Sequence, residues 1–465
     1  MPGGVFRFDF AERQTENPRT GLTPLSENDF KSTTDRLEST VQLASGITPR
    51  WAEDLLRIAR VVYLVDKRAP RSSSPDRWTR DITLSIQVID PDLWTDAILA
   101  LINRTLQVMS GDVWRIEVRG GATSIDSKYR LLEVGQISEL TLFSGGLDSG
   151  SYAAERVANG ARGLLLIAHD HADSASTQQT LANAIDQDRR VTRLAQVRDE
   201  PKRAAGVRLE SSTRTRGFLF VATAIYVASG YGLPEVAIPE NGLVAVNPPL
   251  SPDRIGSNST RSTHPWVLER LNEVLRTIGG DIVIRNPYLL LTKGEVCTRA
   301  RDAGVSPQVI ASTVSCGQAP QTRKDFANCG YCYPCLVRRA GLQAAYDQDP
   351  TIYQRDLTQL KSKRQRQHLD DVARWLSRSF NVRDLIADMP TPTQPSPRAL
   401  LPVIKRSQAE LRDLVLEHSD RNVPGQRCAH MPGRAPTEPL ATEATGPGPA
   451  RTWDPPASQI DRTAQ

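Results

Sequence analysis

Apolar and polar positions along the first 135 residues predict a small α+β domain. Its predicted elements are a helix over 51–65, a strand over 81–89, a helix over 93–109 and a strand over 113–118. The helices have apolar residues at helical spacing, whereas the strand over 81–89 alternates apolar and polar residues. Residues 1–40 are polar and punctuated by Pro, Gly and Thr, so we expect a loose lead-in there.

Strands and helices alternate from residue 136 onward. The predicted strands are 140–143, 164–167, 207–210, 235–239 and 281–284, and the predicted helices are 175–195, 216–229, 265–278 and 293–303. The strand over 164–167 is apolar throughout, as is typical of strands buried on both faces. The alternation predicts a doubly wound parallel α/β sheet that binds its ligand at the carboxyl ends of the strands.

The pattern changes once more after residue 346. Helical stretches there carry many Arg, Lys and Gln residues, including a run over 361–366. A solvated helix face is the favoured interpretation of this run, and a nucleic-acid contact is the alternative. Residues 421–465 are rich in Pro, Gly, Ala and Thr, which predicts disorder. The predicted domains are 1–135, 136–345, a helical extension over 346–420 and a tail over 421–465.

Length and composition are those of a soluble multidomain protein. A chain of 465 residues can form two or three domains, and its net charge of +5 does not by itself imply nucleic-acid binding. The first residues lack the pattern of a secretory signal, and no apolar run approaches the length that spans a membrane. Six cysteines, four of them clustered, indicate a metal site in a reducing compartment. We therefore expect a cytoplasmic protein without membrane contact.

The most informative local motif, Phe-Ser-Gly-Gly-Leu-Asp-Ser, occupies residues 143–149 between an apolar strand and a helix. Its two glycines allow the backbone to approach an anion closely, and the N–H groups at the helix start point toward it. Hydroxyls of Ser144 and Ser149 add donors, and Asp148 can hold a Mg²⁺ ion that bridges phosphate oxygens. The motif predicts a site for the pyrophosphate part of a nucleotide, while a turn followed by a helix N-cap is the simpler alternative.

This loop resembles the PP-loop of the ATP pyrophosphatases, written Ser-Gly-Gly-x-Asp-Ser, and it lacks the Gly-Lys-Ser/Thr ending of a Walker A loop. The resemblance implies a fold of the adenine nucleotide alpha-hydrolase type and cleavage of ATP between the α and β phosphates. The implied ATP-binding residues are Phe143, Ser144, Gly145, Gly146, Leu147, Asp148, Ser149 and Arg216, with Arg214 as the alternative arginine.

A second strong motif is a cluster of cysteines: Cys316, Cys329, Cys332 and Cys335. Three thiols at two-residue gaps plus one upstream can form a closed tetrahedral zinc site, and Gly330 and Pro334 suit the tight turns around it. A closed shell favours a structural role, and an iron–sulfur cluster is the competing interpretation. Cys297 is expected in the core, and Cys428 is expected to be a free thiol in the tail.

Together, the loop and the cysteines resemble the QueC family, the 7-cyano-7-deazaguanine synthases of queuosine biosynthesis, over about residues 137–345. Further matching residues are Asn286-Pro287-Tyr288, Lys293-Gly294-Glu295 and Arg338-Arg339. The resemblance implies adenylation of the carboxylate of 7-carboxy-7-deazaguanine, attack by ammonia and dehydration to a nitrile. It implies Asp148 and Lys293 as catalytic residues, because metal and ammonium charge stabilise the departing pyrophosphate. The implied cofactors are ATP, Mg²⁺ and Zn²⁺.

The chain departs from the family pattern at two places. Gly150 stands where the family loop usually has a threonine, and Ser151 is the nearest residue that could restore the hydroxyl. After the second strand, the sequence has His169 and His171 where the synthases have a different pattern. These histidines are candidate ligands or acid–base groups, and satisfied loop histidines are the favoured alternative.

The chain is also about twice as long as an ordinary synthase. Its N-terminal domain and the segment 240–265 resemble the longer QueC-like branch, which includes the QatC component of a bacterial anti-phage system. Within that segment, Arg261 and His264 lie in a polar cluster with Ser259 and Thr260, directly before a predicted helix. We favour a clamp for an anion or substrate there, and a loop with an N-cap is the alternative.

Three functional hypotheses follow. The leading one is an ATP-dependent carbon–nitrogen ligase in phage defence, which adenylates a deazaguanine carboxylate and transfers it to ammonia or to an amine of a partner protein. The expected partners are the small-molecule substrate and other proteins of a defence operon. The alternatives are a tRNA-modifying PP-loop enzyme, weakly supported by the basic helices, and a non-catalytic nucleotide-sensing scaffold.

Overall fold

The computed structural model describes residues 4–12, 19–32, 35, 37–44, 47–125, 136–169, 174–203, 208–212, 214–250, 261–317, 328–346 and 348–419. All of them belong to one compact unit, residues 1–422. No helix within these ranges combines the length and the apolar character that crossing a bilayer requires. The division into domains predicted above stays a prediction, and one cluster of buried apolar side chains extends over both sheets described below.

The first sheet has four strands in the order β2–β1–β3–β4, and every pair is parallel. Its strands are β1 (Val5–Phe10), β2 (Thr23–Leu25), β3 (Asp81–Gln87) and β4 (Val113–Arg119). The helices of this region are α1 (Leu37–Val41), α2 (Arg50–Arg68) and α3 (Asp96–Ser110). The parallel pairing makes this region α/β, so the predicted α+β class was wrong here.

The predicted loose lead-in over 1–40 was also wrong, because β1 is an inner strand of this sheet. Phe8 is paired with Leu84 of β3 and is buried beside Phe10. The missed signal is the alternation of three phenylalanines with Arg7 and Asp9, which is a period of two.

A fully buried ion-pair network closes one end of the first sheet. Arg80 donates through Nη2 to Asp66 Oδ1 at 2.6 Å and to Asp112 Oδ2 at 2.6 Å. Arg71 donates to both Asp112 oxygens at 2.7 and 2.8 Å. Asp66 also accepts the hydroxyl of Thr215 at 2.8 Å, which ties α2 to the residue before the sixth helix. Such a network is stable only while every charge keeps its partner.

The second sheet is parallel throughout, with the order β7–β6–β5–β8–β9. Its strands are β5 (Glu139–Leu142), β6 (Leu164–His169), β7 (Thr192–Val197), β8 (Glu235–Ala237) and β9 (Val283–Arg285). The strand order reverses between β5 and β8. In open parallel sheets a reversal of this kind opens a crevice at the carboxyl ends of the strands, where ligands bind.

Helices cover both faces of the second sheet, as the doubly wound prediction requires. The helices of this region are α4 (Leu147–Ala158), α5 (Ser174–Ile185), α6 (Arg216–Gly230), α7 (Gly242–Val246), α8 (Pro265–Thr277), α9 (Lys293–Asp302), α10 (Pro307–Ser312) and α11 (Tyr333–Ala345), of which α4, α5, α6 and α8 pack on the sheet. Leu164 and Leu166 pack with residues of α4 and α5 on one face. Leu165 and Ile167 pack in the cluster that contains α6 and α8 on the other face.

One strand of this sheet is not where the sequence predicted it. The predicted helix over 175–195 ends at Ile185, and β7 follows at Thr192, whereas residues 208–210 are not a strand. Asp186 explains the early end of the helix, since its carboxylate accepts the N–H groups of Val191 at 2.8 Å and Thr192 at 2.7 Å. These bonds form a turn that leads directly into β7.

Three helices occupy the predicted helical extension: α12 (Lys363–Leu376), α13 (Val382–Asp388) and α14 (Pro397–Ser419). Side chains of α12 and α14 share an apolar cluster with α7, α11 and three of the clustered cysteines. The run over 361–366 includes exposed residues at 361–363 and 366, which agrees with a solvated face. The predicted tail over 421–465, with Cys428, lies outside the described residues.

Candidate active site

The motif predicted to hold pyrophosphate connects β5 to α4 at the crevice between β5 and β8. We call residues 144–149 the phosphate loop. Gly145 has a φ of +78°, a left-handed conformation that favours glycine. A Cβ at Gly146 would lie only 3.0 Å from Ser144 Oγ and 3.1 Å from the carbonyl oxygen of Val314. The N-terminal N–H groups of α4 have no carbonyl partner within the helix and are therefore suited to an anion.

Asp148 is held by two neighbours from distant parts of the chain. The ammonium group of Lys293, at the first position of α9, donates to Asp148 Oδ1 at 2.6 Å. The side-chain amide of Asn241 donates to Asp148 Oδ2 at 2.8 Å. Burial would raise the pKa of the Asp148 carboxyl, but Lys293 and the hydrogen bonds hold it below its ordinary value. The structure thus brings both predicted catalytic residues together.

Glu240 is a member of this constellation that sequence reasoning gave no role. It is half-buried directly after β8, and its backbone N–H donates to Asn286 Oδ1 at 3.1 Å. Burial and the neighbouring Asp148 carboxylate raise the pKa of Glu240 well above its ordinary value. Its position after the strand that flanks the crevice was the signal that could have revealed it.

The remaining residues in and beside the loop either form hydrogen bonds within it or pack beneath it. Ser149 Oγ accepts the N–H of Ser144 at 3.2 Å, and Ser144 Oγ accepts the N–H of Gly146 at 3.2 Å. Phe143 and Leu147 are buried, so their side chains support the loop from the core. Only their backbone groups can face a ligand.

The glycine at position 150 has a packing explanation. A Cβ there would lie 3.0 Å from Leu181 Cδ2, so α4 and α5 pack closely at this point. Ser151 does not restore the family's hydroxyl at the loop, because it is buried and donates to the carbonyl of Leu147 at 2.7 Å.

Arg216 and His169 lie at the same edge of the sheet and share Phe220 as a neighbour. The His169 ring stacks on Phe220 with centroids 3.8 Å apart, and its Nδ1 lies 3.7 Å from Asp199 Oδ2. The Arg216 guanidinium lies 5.5 Å from the same ring, and burial lowers its pKa. Among the described residues, the titratable group that acts on the Arg216 guanidinium is the Tyr63 phenol rather than a carboxylate, which suits an anionic ligand. His171 lies outside the described residues.

The alternative arginine, Arg214, makes contacts that support the fold. It is buried, donates to the carbonyl of Ser110 at 3.0 Å and lies 4.2 Å from the ring of Trp78.

The predicted substrate residues Arg261 and His264 lie at the start of α8. His264 is buried as the N-cap, and its Nδ1 accepts the N–H of Trp266 at 3.2 Å. Arg261 donates to the carbonyl of Val108 at 3.4 Å. The N-cap is thus present, and contact with a substrate stays a prediction. Ser259 and Thr260 lie outside the described residues.

His264 leads to a prediction about pH. Burial and the nearby Arg261 lower its pKa from 6.5 to about 3, so the stability it supports is complete above pH 6.5 and is lost as the pH falls toward 3. His264→Asn keeps a capping acceptor and removes the titration. Between pH 7 and 4, the parent should lose roughly 2–3 kcal/mol more unfolding free energy than the variant. Urea unfolding at a series of pH values measures this, and parallel pH curves would contradict it.

The four predicted metal ligands converge as a single cluster. Their ligand atoms all lie within 4.8 Å of one another, with Cys316 Sγ 3.9 Å from Cys332 Sγ and Cys329 Sγ 3.8 Å from Cys335 Sγ. Tetrahedral zinc with Zn–S bonds of about 2.3 Å separates its sulfurs by about 3.8 Å. The spacing therefore fits one tetrahedral ion, and it is tighter than a multi-iron cluster needs. Cys297 is buried outside the cluster, as expected.

Cys332→Ser is expected to abolish tight metal binding. Loss of a direct ligand should weaken zinc affinity by more than the roughly 100-fold that removal of an outer-shell partner can cost. Competition with a chromophoric chelator measures the affinity. Cys297→Ala is the matched control, because it removes a buried thiol outside the cluster and should leave zinc affinity unchanged.

Comparisons with known proteins agree with part of this site. The profile of the family described as queuosine biosynthesis protein QueC matches residues 263–346, which include Lys293 and all four clustered cysteines. This segment of the chain is QueC-like. The phosphate loop lies outside the matched segment.

Several proteins named 7-cyano-7-deazaguanine synthase are similar to the chain. The protein of Cupriavidus taiwanensis is 40% identical over 76 residues, which cover 16% of this chain and 31% of the relative. Those of Syntrophobacter fumaroxidans and Hydrogenovibrio crunogenus are 30% and 29% identical over 145 and 136 residues, covering 30% and 29% of this chain and 56% and 55% of the relatives. The chain thus spans about one third to just over half the length of these relatives.

A crystal structure of a ketoreductase domain from the bacillaene assembly line shares 8% sequence identity and a TM-score of 0.20. The match covers 59% of this chain and 76% of the domain. A similarity at this level carries no argument about fold or function.

Proposed function

We propose that this chain is an ATP-dependent enzyme that adenylates a carboxylate, on a 7-deazaguanine, and passes the activated group to an amine. The observation that carries the proposal is the 2.6 Å contact between Lys293 Nζ and Asp148 Oδ1. It joins a residue of the QueC-like segment to the phosphate loop, at the crevice where a parallel sheet binds its ligand.

The chemistry follows from the charges at this site. A carboxylate is a poor electrophile, and transfer of AMP converts it into a mixed anhydride that an amine can attack. Pyrophosphate is the leaving group, and negative charge grows on it as the bond to the α phosphate breaks. The N–H groups of the phosphate loop and the Lys293 ammonium stabilise that charge. Arg216 is the candidate for a further phosphate contact.

Two cofactors fit the donors present. Asp148 would hold Mg²⁺, which supplies charge neutralisation at the phosphates. Asn241 and Lys293, which donate hydrogen bonds to the Asp148 carboxylate, fix its orientation. The four cysteines would hold Zn²⁺ in a closed shell, which serves the fold rather than the reaction.

The acceptor and the biological role extend the proposal. The acceptor is ammonia or an amine of a partner protein, and the role is antiviral defence in bacteria. The support for this role is the sequence resemblance of residues 240–265 and of the N-terminal region to the longer QueC-like branch.

The experiment that tests the proposed function is turnover by the purified chain. With ATP, Mg²⁺ and 7-carboxy-7-deazaguanine, we expect AMP and pyrophosphate in equal amounts, and an amide or nitrile product when ammonia is present. Turnover that needs tRNA instead would favour the tRNA-modifying alternative. ATP binding without turnover on any deazaguanine or partner protein would favour a nucleotide-sensing scaffold and refute the enzyme.

A further inference from the structure

Residues 313–317, which we call the bridging segment, connect the phosphate loop to the cysteine cluster. The N–H of Val314 donates to the carbonyl of Gly145 at 3.2 Å. A Cβ at Gly146 would lie 3.1 Å from the carbonyl oxygen of Val314, so the two backbones are in direct contact. Cys316, only two residues further along, is a member of the cysteine cluster.

Asn328 attaches the bridging segment to the other cysteines. Its side chain is fully buried, accepts the N–H of Ser315 at 2.9 Å and donates to the carbonyl of Thr313 at 2.9 Å. It directly precedes Cys329 in the chain. An ion that holds Cys316 against Cys329 therefore also restrains the backbone that contacts the phosphate loop.

Arg338 completes the attachment from α11. Its fully buried guanidinium donates to Thr313 Oγ1 at 2.6 Å, to Ser315 Oγ at 3.3 Å and to the carbonyl of Ile310 at 2.6 Å. Its hydrogen-bond acceptors in the described part of the chain are hydroxyl and carbonyl oxygens, and none of them is a carboxylate. A buried cation without a counter-ion is costly in free energy. Four thiolates around one divalent cation carry net negative charge, and Cys335 lies one turn before Arg338 on the same helix.

We propose that metal binding by the four cysteines holds the phosphate loop in its nucleotide-binding conformation, with Arg338 as a positioning residue. The bridging segment transmits the restraint, and the metal takes no part in the chemistry. The inference rests on the proposed nucleotide site, and it gives the cysteine cluster a role in ligand binding in addition to folding.

Arg338→Met tests the attachment, with Arg339→Met as the matched control. Arg339 is its neighbour on α11 and donates to the carbonyls of Gly330 and Arg355, so it contacts the cysteine turn but not the bridging segment. We expect Arg338→Met to keep one metal per chain and cooperative thermal unfolding, and to weaken Mg²⁺–ATP binding about tenfold in calorimetry. Arg339→Met should bind ATP like the parent, and Arg338→Lys should recover part of the loss. Unchanged ATP affinity in a metal-loaded Arg338→Met protein would overturn the proposal.

Hydrogen exchange on the unmutated protein tests the coupling without a variant or a nucleotide. Removal of metal with a chelator should accelerate exchange of the Val314 amide and of phosphate-loop amides about tenfold or more, and leave β3 amides protected. No change at Val314, or equal acceleration in β3, would overturn a specific coupling. If the parent does not bind ATP, the proposed function fails, and the exchange result still decides whether the metal restrains the loop.

Discussion

Asp148→Asn is expected to lower the rate of AMP release by about 10²–10³-fold, the range found when one preorganised charge-stabilising contact is removed. The amide cannot carry the charge that binds Mg²⁺ or pairs with Lys293, whose ammonium group lies 2.6 Å away. The nearly isosteric side chain keeps the local packing, but the buried Lys293 ammonium loses its counter-ion, so the unfolding free energy should fall as well. Steady-state kinetics with coupled detection of pyrophosphate measures the effect.

Glu155→Gln is the matched control for this prediction. Glu155 lies on the same helix, α4. Its carboxylate accepts hydrogen bonds from the Tyr288 hydroxyl and the Arg299 guanidinium. Its loss should change the rate of AMP release less than about threefold, while Asp148→Asn approaches inactivity. Similar rates for Asp148→Asn and the parent would remove Asp148 from the reaction.

Arg80→Met is expected to lower the unfolding free energy by about 3–5 kcal/mol, the cost of breaking a buried charge pair from one side. The substitution leaves the carboxylates of Asp66 and Asp112 in the core, with Arg71 as the remaining cation on Asp112. Because Asp66 also holds Thr215, the residue before α6, ATP binding through Arg216 should weaken as well. Urea denaturation measures the loss of stability.

Arg115→Met is the control for the network. Arg115 pairs with Asp81 on the exposed face of the same sheet, with more than half of its side chain exposed to solvent. Exposed pairs of this kind contribute about 0–1 kcal/mol. A comparable loss of stability in both variants would mean that burial of the network is not the source of its effect.

The features whose position in the fold was predicted correctly from sequence depend on local patterns. The phosphate loop and the cysteine cluster are short motifs with fixed spacing. In α2, α6 and α8, apolar residues recur at helical spacing over several turns. Lys293 and Asp148 were both named as catalytic residues through the family resemblance. Their direct contact could not be predicted from a local pattern, because 145 residues separate the two in the chain.

The features that were missed depend on contacts between distant segments. β1 is a strand because it pairs with β3, which lies over 70 residues later in the chain. The polar residues that follow β1 made its short alternating pattern easy to overlook. The boundary between α5 and β7 is set by the turn at Asp186. The role of Glu240 emerges only from its approach to Asp148, which shifts the pKa of both carboxyls.

The most direct test of carboxylate adenylation is transfer of an oxygen atom. With ¹⁸O in the carboxylate of 7-carboxy-7-deazaguanine, attack on the α phosphate and later departure of AMP should place one ¹⁸O in the released AMP, as read by mass spectrometry. Unlabelled substrate in ¹⁸O water controls for simple hydrolysis. AMP that carries label from water and none from the carboxylate, or ADP in place of AMP, would contradict the account.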